Sequence, residues 1–209
     1  MIKAKRLKPI RIANFWISLT RYCIHGISLI WLIYAYYSAL TGRVNGDPVE
    51  FLTNFSGIGT LNLLLLTLIV SPLARTLKFG QLVILRKTLG VYAAIYALFH
   101  FYIYIAYELE FEWLLIANEI IERPYITVGF VSLLLLSALL ITSFTFLKRK
   151  MGTRWQKLHN WIYVACILGC VHFLWSVKSD ISEPIIYSFL FLILLLTEHR
   201  RQKFKKLLK

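Results

Sequence analysis

The chain has 209 residues, 58% of them hydrophobic, with a mean hydropathy of +0.66 and a formal net charge of +14. That apolar content is too high for a soluble domain, and the charges fall in short blocks between long apolar runs. A nucleic-acid partner is not needed to explain the basicity, because the basic blocks sit where anionic lipid headgroups would meet them.

Apolar runs of roughly 18 residues or more can cross ~30 Å of hydrocarbon as helix, and a helix satisfies its own backbone there. The pattern predicts an all-α membrane protein, a bundle of six spans at about 14–40, 57–74, 88–107, 125–147, 158–177 and 183–198. One domain, 1–209, is expected to use the whole length, with no segment left for a soluble catalytic unit. The first span is too long for a cleaved signal peptide, Arg21 interrupts its start, and a polar loop follows it instead of an Ala-x-Ala site. Between the third and fourth spans, residues 109–123 place Glu108, Glu112, Glu119 and Glu122 near one helical face, which predicts a helix lying on the outer surface. Arg123-Pro124-Tyr125 then opens the fourth span, with proline tolerated at a helix start.

Charge orients the bundle. Lys3, Lys5, Arg6, Lys8 and Arg11 precede the first span, and Arg75, Lys78, Arg86 and Lys87 lie between the second and third. Lys148, Arg149, Lys150, Arg154 and Lys157 separate the fourth from the fifth, and the tail carries Arg200, Arg201, Lys203, Lys205, Lys206 and Lys209. The alternate loops hold Asp47, Glu50, Glu108, Glu110, Glu112, Glu119, Glu122, Asp180 and Glu183. The positive-inside bias therefore places both termini in the cytoplasm.

Cys23, Cys166 and Cys170 all fall inside spans. Packing is the expected role of Cys166 and Cys170, which share a helix face. Cys170-Val171-His172 lacks the C-x-x-C-H arrangement of covalent haem attachment. Histidines carry more information, because ionisable side chains inside a bilayer are costly and usually face the bundle interior. His25, His100, His159 and His172 lie in or at spans, while His199 belongs to the basic tail. His100 and His172 stand within a few ångströms of one depth on the third and fifth spans, at ~1.5 Å per residue. Two imidazoles so placed suit axial haem ligation between helices. A pair of buried histidines bonded to hydroxyls or carbonyls, or a metal or proton path, would also fit the spacing. His159 precedes His172 by thirteen positions, which is ~20 Å along an ideal helix but ~140° around it. Aiming both inward therefore needs a bulge or a non-helical start at His159. His25 is a second candidate for an inner site.

The segment Gly152-Thr153-Arg154-Trp155-Gln156-Lys157-Leu158-His159-Asn160, continuing to His172-Phe173-Leu174-Trp175-Ser176-Val177-Lys178, closely resembles the MsrQ (YedZ) family. These are haem-binding membrane subunits of a periplasmic methionine sulfoxide reductase system. Gly46-Asp47-Pro48, Ser71-Pro72-Leu73-Ala74-Arg75, Arg86-Lys87-Thr88-Leu89-Gly90, His100 and Arg123-Pro124-Tyr125 extend the resemblance over nearly the whole chain. It implies a ferric reductase-like core in the bacterial inner membrane, with haem b (one or two) and FMN. It also implies a cytoplasmic flavin reductase as donor and a periplasmic molybdopterin subunit, MsrP, as acceptor. By position, His100 and His172 would ligate the outer haem and His159 an inner one.

Where oxidase relatives place an inner histidine fourteen positions before the outer one, this chain has Arg86. Arginine is a poor iron ligand and is better suited to a haem propionate or a flavin phosphate. Arg75, Arg86, Arg149 and Arg154 are the candidate inner contacts for such groups. Arg123, Tyr125, Trp175 and Lys178 are the candidate outer contacts for propionates or the partner. The expected mechanism is one-electron relay, with the sulfoxide chemistry on the partner. A cytochrome b561-like quinone oxidoreductase would use similar histidines, and a small transporter would use them for substrate or protons.

Overall fold

A computed structural model describes residues 13–178 and 180–207, with side chains described as far as residue 198. The N-terminal basic cluster (residues 3–11), Lys209 and the side chains of His199 and the basic tail lie outside the described residues. No strand occurs among the described residues.

Helix α1 runs Asn14–Leu40 and α2 runs Pro48–Thr76. The latter starts well before the expected residue 57, because Asp47 caps it by accepting the Val49 N–H at 2.9 Å and Pro48 fits its first turn. Its polar first turns, with Glu50 and Asn54, had masked that start in the hydropathy. A 3₁₀ turn (Gly80–Ile84) leads into α3 (Leu85–Ile103), which a π turn continues through Tyr104–Glu108. Helix α4 (Trp113–Glu122) forms where the outer surface helix was expected, with Ile116 buried and Trp113, Leu114 and Ile121 exposed. Glu108 and Glu112 fall outside it, so the four glutamates do not share one helical face. Glu110 and Phe111 turn the chain between them with positive φ.

Helix α5 (Pro124–Ile141) stops short of the expected residue 147, and a separate short helix α6 (Thr145–Met151) follows. The Trp155 indole N–H donates to the Thr142 carbonyl at 2.9 Å, which satisfies a group that the ended helix leaves unpaired. The fifth expected span is also two pieces, α7 (Thr153–His159) and α8 (Ile162–Ser176), broken at Asn160-Trp161. The chain therefore breaks just after His159, where two inward-facing histidines would have needed an interruption. Helix α9 (Ser182–Leu207) covers residues 183–198, where the sixth span was expected. Among the described residues, five helical stretches are long and apolar enough to cross a membrane: Asn14–Leu40, Pro48–Thr76, Gly80–Glu108, Pro124–Ile141 and Thr153–Ser176.

Helix α2 packs most extensively against α3, and α5 against α8. Their shared core joins Leu61, Leu64 and Leu68 of α2, Ala93 and Ala94 of α3, Leu136 of α5, and Ala165, Cys166 and Cys170 of α8, with Phe191 of α9. Small side chains at these crossings let the backbones approach, which is how helices gain dispersion energy where lipid offers no hydrophobic drive. Cys166 and Cys170 are thus packing residues, and Cys23 is exposed on α1. Phe15, Trp16, Ile30 and Trp31 of α1 point outward, where a soluble protein would carry charge and a membrane protein meets lipid.

Candidate functional site

His100 on α3 and His172 on α8 face each other with ring centres 6.2 Å apart and planes at 82°. Each is held from behind in the same way. The Nδ1–H of His100 donates to the Thr53 carbonyl at 3.0 Å, with the Ser56 hydroxyl at 3.3 Å. The Nδ1–H of His172 donates to the Tyr125 carbonyl at 2.8 Å. A carbonyl can only accept, so each ring carries its proton on Nδ1 and keeps the Nε2 lone pair for another group.

Glycines make room for both rings. A Cβ at Gly57 would come within 3.2 Å of the His100 ring, and one at Gly129 within 2.7 Å of the His172 ring. Both rings line a cavity of about 630 Å³ walled by α2, α3, α5 and α8. That volume lies within the roughly 300–1,000 Å³ range of cofactor and ligand pockets. Leu64 and Leu136 line its apolar depth, while Glu50, Glu108 and Lys178 stand at the polar end. The Thr53 hydroxyl, on the same wall, is buried without a hydrogen-bond partner.

The family described as ferric reductase like transmembrane component matches residues 55–170, a stretch that includes Gly57, His100, Gly129 and His159. The protein-methionine-sulfoxide reductase heme-binding subunit MsrQ of Salmonella arizonae is 41% identical over 180 residues, covering 86% of this chain and 90% of that protein. MsrQ of Salmonella enteritidis matches to the same extent. MsrQ of Yersinia pseudotuberculosis is 40% identical over 186 residues, covering 88% of this chain and 90% of its own. The chain belongs to the MsrQ family.

Among the other residues expected at an MsrQ site, Tyr125 and Lys178 line the cavity. Tyr125 stacks on His172 with centres 6.2 Å apart. Arg123 lies beside them, paired to Glu119 at 2.7 Å and donating to the Tyr125 hydroxyl at 3.3 Å. Those neighbours raise the affinity of its guanidinium for its proton. Trp175 is exposed and does not line the cavity.

His159 is engaged elsewhere. Its ring stacks on Trp155 with centres 3.9 Å apart, and the Lys148 ammonium lies 4.5 Å from the Trp155 ring centre. The Thr142 hydroxyl gives its proton to the Ala138 carbonyl at 2.7 Å, so it accepts the His159 Nε2–H at 3.1 Å. His25 is exposed on α1 and bonds the Tyr92 hydroxyl at 3.0 Å, away from the cavity wall. Arg86 donates to the Ser71 hydroxyl at 2.7 Å, and Arg75 pairs with Glu198 at 3.1 Å. Arg149 and Arg154 are exposed on α6 and α7. Gly57, Gly129 and Thr53 were not singled out by the sequence as site residues. Gly57 and Gly129 read only as glycines near span ends, and Thr53 fell outside the expected second span.

Proposed function

We propose that this MsrQ-family protein binds haem b between His100 and His172 and carries electrons across the bacterial inner membrane. The donor in this reading is a cytoplasmic flavin reductase acting through FMN. The acceptor is a periplasmic molybdopterin enzyme of the MsrP type, which reduces methionine sulfoxide and so supports repair of oxidised periplasmic proteins. Six spans with both termini cytoplasmic complete the reading, supported by the positive-inside pattern and the apolar stretch within α9.

The observation that carries it is the facing histidine pair. With about 2 Å from a metal to each nitrogen and about 1 Å from nitrogen to ring centre, one metal ion held by a nitrogen of each ring would need ring centres no more than about 6 Å apart. The observed 6.2 Å agrees. The residues also fit the group as a whole. Both Nε2 lone pairs are free of the backbone bonds, the cavity is apolar in depth and polar at its mouth, and the unpartnered Thr53 hydroxyl awaits a polar atom.

Bound there, haem supplies a one-electron carrier whose potential responds to ligands, burial and nearby charge. The chain's own residues fix the rest. Thr53 and Tyr125 hold the imidazoles in the ligating tautomer, and leucines of α2 and α5 keep water from the depth. Lys178 and Arg123 offer cations to propionates or to the partner at the outer mouth. At the inner end, exposed Arg149 and Arg154 are suited to an anionic flavin phosphate, with Arg86 and Arg75 behind them. His159 as an inner haem ligand would require its Nε2 to leave Thr142, so we assign one haem to the His100–His172 pair and none to His159.

The test is an optical spectrum of the purified protein with pyridine haemochrome quantitation of haem per chain. A Soret band is expected, and it should be lost in the His100→Ala/His172→Ala double variant. Full haem content in that variant overturns the assignment. Reduction by a flavin reductase with FMN, set against reduction by a quinol, then decides the donor.

A further inference from the structure

We infer that Gly57 and Gly129 are positioning residues, paired seats that fix the orientation of the two imidazoles; the inference rests on the haem reading above. The Nδ1–H of His100 bonds the carbonyl of Thr53, one turn before Gly57 on α2. The Nδ1–H of His172 bonds the carbonyl of Tyr125, one turn before Gly129 on α5. In both cases the glycine at position i exposes the carbonyl at i−4.

Helix geometry explains the pairing. The carbonyl of i−4 already accepts the N–H of residue i and lies beside that residue's Cβ. Serine and threonine at position i use this closeness to bond the same oxygen. Ser56, Thr60 and Thr67 of α2 do so, donating to Leu52, Ser56 and Leu63 at 2.7, 2.9 and 2.7 Å. Glycine leaves the second lone pair to an outside donor and leaves space for a flat ring. A Cβ at Gly129 would meet three His172 ring atoms at 2.7, 2.9 and 3.0 Å, and one at Gly57 would meet two His100 atoms at 3.2 and 3.3 Å. The two seats therefore differ in tightness. The His172 ring cannot stay where it is beside an alanine, while the His100 ring would need to give by only a few tenths of an ångström.

Gly59 provides a built-in comparison. It lies on α2 two residues from Gly57, and its Cβ would collide with the Tyr96 ring at 2.6 Å, with no histidine involved. Gly59→Ala thus reports the cost of overpacking these helices, separate from any effect on ligand orientation.

The experiment purifies the full chain with Gly129→Ala, Gly57→Ala, Gly59→Ala and Gly129→Ser. For each it measures haem per chain, the g-values of the ferric low-spin signal by electron paramagnetic resonance, the reduction midpoint and the thermal midpoint. Gly129→Ala should weaken haem binding by about 10- to 100-fold, as for disturbed outer-shell partners of metal-bound histidine, and shift the g-values of what remains. Gly129→Ser should be worse, because its hydroxyl takes the Tyr125 carbonyl as well as the space. Gly57→Ala should hold its haem with a smaller shift in g-values, and it keeps the test available if Gly129→Ala fails to fold. Gly59→Ala should lower the thermal midpoint and leave the g-values in place. Unchanged g-values and potential in Gly57→Ala and in folded Gly129→Ala overturn the inference, as does a Gly59→Ala shift equal to theirs. Absence of haem from the unmutated protein, or its full retention without His100 and His172, overturns the underlying reading instead.

Discussion

Tyr125 meets His172 twice, since its ring lies at 22° to the imidazole with centres 6.2 Å apart while its carbonyl accepts the Nδ1–H at 2.8 Å. Side chain and backbone of one residue thus act on the same ring. The two contributions separate by substitution, because the carbonyl survives any side-chain change. Tyr125→Phe keeps the stacked ring and loses only the hydroxyl that Arg123 reaches, so haem content should stay near that of the unmutated chain. Tyr125→Leu removes the aromatic face, worth about 0.5–1.5 kcal/mol for such pairs, and should lower haem retention by roughly 2- to 13-fold. Haemochrome quantitation after dilution checks both. Equal loss in the two variants would make the hydroxyl, not the stack, the important group.

The Nε2–H of His159 is spent on Thr142, whose own proton goes to Ala138. His159→Ala should therefore leave haem per chain and the low-spin signal of the His100–His172 site unchanged. It should lower the thermal midpoint, because it removes the ring stacked on Trp155. A fall from two haems per chain to one would defeat the single-haem assignment.

Glu119 ties three elements together. It accepts the Tyr104 hydroxyl at 2.9 Å from the π turn and pairs with Arg123 at 2.7 Å before α5, while sitting on α4 itself. Its side chain is 15% exposed, against 53% for Arg123, so the carboxylate is the shielded member of the pair. Glu119→Ala leaves the half-buried Tyr104 hydroxyl without its acceptor and should cost about 1 kcal/mol, the low end of the range for an unsatisfied group. Glu119→Gln keeps an acceptor and should cost less. Thermal midpoints in detergent, with hydrogen exchange over residues 104–123, measure the difference. An unchanged midpoint in Glu119→Ala would mean that the outer end is held by packing alone.

Much of the arrangement was legible in the sequence because lipid imposes simple rules. Long apolar runs overlapped the five candidate spans found among the described residues, and α1 has the expected 14–40 bounds. The pairing of His100 with His172 followed from depth alone. What hydropathy could not see was where hydrogen bonds end a helix inside an apolar run. Phe144 and Phe146 read as a continuing span, yet the chain breaks at Thr142, where the side chains of Trp155 and His159 arrive from α7. The start of α2 was hidden for the opposite reason, since Asp47 and Pro48 begin a helix whose first turns are polar. Gly57 and Gly129 were visible as residues, but their use depends on which ring packs against them. That is a tertiary fact with no local signature.

The mouth of the cavity carries charges of both signs, which makes its electrostatics testable by direction. Lys178 stands there with Glu50 and Glu108. Reduction adds an electron to whatever the histidines hold, so a nearby cation favours the reduced state and a nearby carboxylate opposes it. Lys178→Gln should lower the haem midpoint potential, while Glu50→Gln and Glu108→Gln should raise it. Each side chain lies near solvent, where charge pairs are worth about 0.2–1 kcal/mol, and ~1.4 kcal/mol corresponds to ~59 mV for one electron. Shifts of about 10–40 mV are therefore expected, shrinking as salt is raised towards 1 M, where the screening length falls to about 3 Å. Potentiometric titration of the three variants at low and high salt measures them. Shifts of the same sign for Lys178→Gln and Glu50→Gln would show that the charges act by altering the fold at the mouth, because a direct field effect must change sign with the charge removed.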